Sequence, residues 1–307
     1  MKILPRFLTF LFLTFAFLFS SSCSFPFYHR APASKEKTVS KKVIALLSDL
    51  GNKDFYVGAL KGTIYSIYPD AVIVDITHQI SPYNIKEGAL TLYLAEREFP
   101  AGTIFVAAVD PGVGTSRRPI VVLSLDGKYF VGPDNGIFNF IYREAGVQRV
   151  YQIKNPKWMR QAGVSKTFHG RDLFAPVAAH LAAGWPVEEV GPEMKDYMLL
   201  SLNPVVKKGN RIKSEVTAID RYGNVRLNVS EKLFSSLGVN PGEEVVVRLK
   251  NKTVKVKWVS TYGKVPVGAS LLLISSTGFL ELAVNRGSAA RKYGLEIGAR
   301  VTIEKPE

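Results

Sequence analysis

Five segments, strand-like and helix-like in alternation, constrain this chain most. Residues 43–47 form a continuous apolar run that ends at Ser48-Asp49-Leu50-Gly51. Residues 54–68 then carry apolar side chains at helical spacing, and residues 71–76 return to the strand pattern. Residues 85–99 repeat the helix, with Glu87, Glu96 and Arg97 outward, and residues 103–109 supply a third strand. The alternation predicts a mainly parallel sheet with flanking helices. Parallel strands need long crossovers, and strands covered on both faces read as unbroken apolar runs. In open sheets of this class ligands bind outside the carboxyl ends of strands. Asp49 and Asp110 each stand just past such an end.

Further strands are expected at 120–125 and 128–131, then a dense turn signal, Gly132-Pro133-Asp134-Asn135-Gly136, and a short helix at 138–143. The segment Thr167-Phe168-His169-Gly170-Arg171-Asp172 leads into an Ala-rich helix over 173–183, where Pro176 fits only in the first turn. After Gly184-Trp185-Pro186 the helical signal thins. Short alternating strands follow at 212–219, 225–228, 244–250, 253–259, 270–274 and 300–304. The expected fold class is therefore α/β over residues 43–200, joined to an all-β domain over 205–306.

The N-terminus reads as an export signal over 1–23. Lys2 and Arg6 precede an apolar run at 7–19, then Ser20, Ser21, Ser22 and Cys23. The run is short for a membrane span. Cys23, the only cysteine, stands where a bacterial lipoprotein signal places its lipidated residue, although Ser20 replaces the usual leucine three positions before it. The folded part is then expected outside the cytoplasm, tethered by a Pro-, Ser- and Lys-rich linker over 24–42. Residues 1–42 hold seven Lys or Arg against one acid, so only +8 of the net +14 belongs to the rest. With no aromatic platform among those charges, nucleic acid is not an expected partner, and membrane contact is expected only through the N-terminus.

The stretch Val109-Asp110-Pro111-Gly112-Val113-Gly114-Thr115-Ser116-Arg117-Arg118 brings opposite charges around a tight Gly-rich turn at a strand end. Other loops hold polar residues that a core would not need: Asp49 and Asp54, then His169 with Arg171 and Asp172, then Asp220-Arg221-Tyr222-Gly223-Asn224. His78, after a strand, and His180, in the Ala-rich helix, read as structural. Neither has neighbours at metal-ligand spacing, so no metal is expected.

In order and spacing these segments resemble the S-adenosylmethionine hydroxide adenosyltransferase family, relatives of fluorinating and chlorinating enzymes. The likeness covers roughly residues 43–306. It rests on Ser48-Asp49-Leu50-Gly51 with Lys61-Gly62, Asp75-Ile76-Thr77-His78, the 109–115 turn, Gly132-Pro133-Asp134-Asn135-Gly136, and Phe168-His169-Gly170-Arg171-Asp172. The resemblance implies a barrel-like C-terminal domain and a homotrimer with active sites between neighbouring subunits. It also implies attack of water or hydroxide on the ribose C5′ of S-adenosylmethionine, as substrate and without a cofactor, giving adenosine and L-methionine.

By that resemblance Asp110, Arg117 and His169 form the water-activating triad and Asp49 binds the ribose. Asp54, Asp220 and Ser276 hold the methionine end, while Asn224 and Tyr262 take adenine. The leaving group is a neutral thioether, so the chemistry needs a base and a charge-stabiliser but no general acid. Which of the three takes the proton stays open in the sequence. A halogenase is one rival reading, but the halogenating relatives carry tyrosine where this chain has Asp110, and a carboxylate repels a halide. The other rival is an exported adenosine-binding lipoprotein without chemistry, which would not need the triad.

Overall fold

A computed structural model describes residues 42–306. The expected export signal, Cys23 and the linker up to residue 41 lie outside those residues. Two sheets organise the rest.

The first sheet is built from β1 (Val43–Ser48), β2 (Val72–Thr77), β3 (Ile104–Ala108), β4 (Pro119–Ser124), β5 (Tyr129–Pro133) and β6 (Val147–Gln152), in the order β2-β1-β3-β5-β4-β6. The first four strands in that order run parallel, whereas β4 pairs antiparallel with both β5 and β6. Side chains of β1 alternate between two cores. Ile44 and Leu46 join α1 (Tyr56–Ile67) and α3 (Ala175–Ala182) on one face; Ala45 and Leu47 join Leu92 of α2 (Ile85–Glu96) on the other. Fully burying each such aliphatic side chain contributes about 1.5–3 kcal/mol. α2 is started by Asn84, whose side chain accepts from the Glu87 N–H at 3.1 Å, while the Glu87 carboxylate accepts from the Ser81 N–H.

β1 lies between β2 and β3, so the chain leaves β1 to one side through α1 and returns to its other side through α2. This reversal opens a crevice at the carboxyl ends of β1 and β3. Their parallel register sets Ser48 beside Ala108, which brings the segments carrying Asp49 and Asp110 side by side.

The second sheet contains β7 (Val206–Lys208), β8 (Arg211–Ile219), β9 (Val225–Ser230), β10 (Glu244–Arg248), β11 (Thr253–Trp258), β12 (Ser270–Ile274), β13 (Phe279–Val284) and β14 (Arg300–Glu304). Pairing of β14 with β8 closes seven of them into a barrel, leaving β7 outside the ring on β8. The barrel half is not purely β. It carries two five-residue helices, α4 (Glu231–Ser235) and α5 (Ala289–Tyr293), capped by Ser230 and Ser288. The short helix expected at 138–143 is instead a wide turn at Ile141–Ala145, closed by the Gly146 N–H on the Ile141 carbonyl.

Candidate active site

The turn after β3 is shaped by its own hydrogen bonds. The Thr115 N–H and hydroxyl both donate to the Gly112 carbonyl, at 3.1 and 2.7 Å, and Asn135 donates to the Val109 carbonyl at 3.0 Å. The reversal folds Arg117 back onto Asp110. Arg117 Nε donates to Oδ1 at 2.9 Å, and Nη2 donates to Oδ2. The pair is shielded from solvent, with side chains only 8% and 11% exposed, so each charge depends on the other for its stabilisation. Gly114 has φ +78°, and a Cβ there would meet the Lys166 carbonyl oxygen at 2.8 Å. Glycine therefore lets this turn touch the segment that carries His169.

His169 sits at the start of a wide turn, Gly170–Phe174, closed by the Ala175 N–H on the Gly170 carbonyl and continuous with α3. Pro176 falls in the first turn of α3, as the sequence required. Asp172, wholly buried, anchors the turn. It accepts from the Ser165 N–H at 2.9 Å and from Arg171 Nε at 2.7 Å, with Arg160 at 3.4 Å. Arg117 Nη2 reaches His169 Nδ1 at 2.5 Å. A guanidinium has only donors, so Nδ1 accepts and the neutral ring carries its proton on Nε2. Burial, and then the Arg117 charge, lower the His169 pKa below the ordinary imidazole value, which favours this neutral form.

Asp49 completes the group. Asp49, Asp110 and His169 line one cavity of about 180 Å³, with Tyr83 and Phe168 among the other walls. Arg117 does not line it; it bridges the two residues that do. The Asp49 carboxylate accepts from the Tyr83 N–H at 2.8 Å, and Tyr83 holds φ +66° with its side chain exposed. A non-glycine residue in the left-handed region is strained, and such strain gathers at functional sites. His78 is structural, as expected. Its Nδ1 lies 2.7 Å from the Ser48 hydroxyl and its carbonyl accepts from the Gly51 N–H at 2.7 Å, pinning the Asp49 loop.

Asp220, Asn224 and Tyr262 meet in a second cavity of about 680 Å³ in the barrel half, which shares no lining residue with the first. Asp220 Oδ1 accepts from the Tyr222 and Asn224 N–H groups and Oδ2 from the Asn224 side chain, all at 2.9 Å. A Cβ at Gly223 would come within 1.9 Å of the Ser288 hydroxyl, so this loop packs directly on the start of α5. Tyr262 is 39% exposed and donates to Glu281 at 2.6 Å, and burial with this bond raises its pKa. Asp54 and Ser276 are exposed and line neither cavity. Among the described residues, no group of three or more His, Cys, Asp or Glu side chains could hold a metal ion.

Tyr83, Asp172 and Glu281 support the site but were not singled out as its residues. A strained φ and a buried carboxylate within an apolar strand leave little mark in sequence. Asp172 stood in a named motif, yet its burial was not legible.

Fold and site define an α/β protein with an appended barrel and a carboxylate–guanidinium–imidazole chain at the switch point of its parallel strands. The S-adenosylmethionine hydroxide adenosyltransferase N-terminal domain matches residues 44–191 and the C-terminal domain of that family matches 214–302. The chain belongs to this family. It is 35% identical over 267 residues to an (R)-S-adenosyl-L-methionine hydrolase of Thermus thermophilus, covering 85% of this chain and 98% of that one. A fluorinase of Actinopolyspora mzabensis is 29% identical over 87% of this chain and 98% of its own. A crystal structure of an uncharacterized conserved protein from Thermotoga maritima superposes with a TM-score of 0.83 at 40% identity, covering 85% and 100% of the two chains.

Proposed function

We propose that the protein hydrolyses S-adenosyl-L-methionine to adenosine and L-methionine by attack of water on the ribose C5′. The observation that carries this reading is the hydrogen-bonded chain Asp110–Arg117–His169 beside Asp49 at one cavity. Relatives named as hydrolases are also more similar to this chain than those named as fluorinases.

In this reaction the water oxygen bonds to C5′ while the C5′–S bond breaks. Its electron pair goes to sulfur, which leaves as the neutral thioether of methionine. One water proton goes to Asp110 and the other stays on the new 5′-hydroxyl. His169 is not the base, because its Nδ1 is occupied by Arg117 and its Nε2 carries a proton; it holds the water oxygen by donation. Each Asp110 oxygen accepts one bond from Arg117 and keeps lone-pair capacity for the water. Arg117 fixes both partners and offsets the negative charge that develops on the oxygen. Asp49 binds the ribose diol, and Asp220, Asn224, Tyr262, Ser276 and Asp54 take the methionine and adenine ends.

The working unit in this reading is a homotrimer. A cavity of 180 Å³ is small against the roughly 300–1,000 Å³ of common ligand sites, and the adenine-side residues line a different cavity of the same chain. A second copy supplies that side. The chain is exported and anchored through a lipid on Cys23. Labelled palmitate should mark Cys23 in a membrane fraction; an unlabelled soluble product would mean simple secretion. Incubating the purified protein with S-adenosylmethionine and separating products by chromatography tests the activity. Equimolar adenosine and methionine are expected, and bound but unchanged substrate would make the protein a binder.

A further inference from the structure

A further cavity, of about 750 Å³, is neither of those two. It lies between α1, the 157–161 segment and α3, and Lys157, Arg160 and Arg171 all line it. Among the described residues, no carboxylate lines it, and the one carboxylate bonded to these cations is Asp172, which is wholly buried and pairs with two of the three. That leaves an excess of positive charge and spare donors. Arg171 uses Nε and Nη2 on Asp172, and Lys157 Nζ has no hydrogen bond or ion pair among the described residues.

A second wall is aromatic. His180 and Trp185 stack with ring centroids 4.0 Å apart and 28° between planes, and Trp158 meets both rings edge-on. Burial lowers the pKa of His180, so the wall presents a neutral face near pH 7. Trp185 is still 38% exposed. Forked guanidinium donors suit phosphate oxygens, and an exposed aromatic slab suits a planar base.

We propose that this cavity binds a nucleoside phosphate, with its phosphate on Lys157, Arg160 and Arg171 and its base against the His180–Trp185 pair. The site backs onto the catalytic turn. Phe168, His169 and Gly170 face the Asp49–Asp110 cavity, while Arg171, next in the chain, lines the other and lies 5.0 Å from the Phe168 ring. The two cavities therefore share one turn.

Titration of the purified protein with AMP and ATP, by calorimetry and tryptophan fluorescence, tests the assignment. Saturable binding is expected, weakened at least about tenfold by the pair Lys157→Ala and Arg160→Ala, which removes charged hydrogen bonds. Gly62→Glu gives a second variant that keeps the fold, since α1 presents Gly62 to the cavity with nothing within 4 Å of an added Cβ. It should also abolish binding, while Asp49→Ala, which loses the ribose contact of the catalytic cavity, should leave it intact. No saturable binding at millimolar AMP and ATP would overturn the proposal. So would binding lost in Asp49→Ala but kept in the Lys157 and Arg160 pair, which would put the nucleotide in the catalytic cavity. Inorganic tripolyphosphate bound as tightly as ATP would remove the role of the aromatic wall and with it the nucleoside assignment.

Discussion

Arg117 sets the roles of its two neighbours, and this governs what single substitutions do. Asp110→Asn, Arg117→Ala and His169→Ala should each lower turnover by about 10²-fold or more, the range for losing general-base help. Double variants should lose little beyond that, because one loss already breaks the chain of bonds. Arg117→Lys should not rescue activity, since an ammonium cannot fork onto Asp110 and still reach His169. Asp49→Ala should weaken both substrate and adenosine product in calorimetry, because a ribose contact persists through the reaction. The pH profile has a definite sign. His169 has a lowered pKa, so it is neutral above that value and activity is full there. As pH falls through a value below about 6.5, protonation removes the Nδ1 acceptor and sets a second cation beside Arg117. The acid limb of kcat/KM should lie there and disappear in His169→Ala. The residues of this chain were legible because Asp110 and Arg117 stood in a short turn between strands and His169 in the loop that enters a helix. Its directionality was not legible, because it depends on which nitrogen faces Arg117.

Two loops must touch for the site to exist, and Gly114 permits the contact. Gly114→Ala should cost about 1–3 kcal/mol in chemical denaturation, from the positive φ and the 2.8 Å approach to Lys166, and should lower turnover by separating Arg117 from His169. Asp172→Ala should also destabilise, by about 1–3 kcal/mol, because the part-buried Ser165 N–H loses its acceptor while Arg171 and Arg160 remain open to water. The strands and helices from β1 to β3 were plain in the sequence: β1 and β3 are buried on both faces and read as unbroken apolar runs, β2 keeps an apolar run at the sheet edge, and the helices keep their spacing. β6 (Val147–Gln152) was not, because its Gln and Arg residues suit an edge strand and interrupt the pattern. β13 (Phe279–Val284) holds Glu281 at its centre, which is buried and bonded to Tyr262 rather than solvated. α4 and α5, at five residues each, are too short for helical periodicity to register and are set by serine caps and barrel packing.

Across the whole molecule, the half-sites stand in different cavities of one chain, and Asp54 and Ser276 line neither. Sequence order could not say where such residues meet; in the proposed trimer a neighbouring copy brings them together. Light scattering should give a trimer. Trimers reassembled from equal amounts of Asp110→Asn and Asp220→Ala chains should recover about one quarter of wild-type activity, the share of interfaces that pair two intact halves in a random ring. No recovery would place each site within one subunit. The measurement closest to the central claim is turnover of S-adenosylmethionine in ¹⁸O-enriched water, read by mass spectrometry of the products. The label should appear in the 5′-hydroxyl of adenosine, with one methionine per adenosine, and should accumulate about 10²-fold or more slowly in Asp110→Asn. Halogenated adenosine in halide buffer, or substrate recovered unchanged from the wild-type protein, would contradict it.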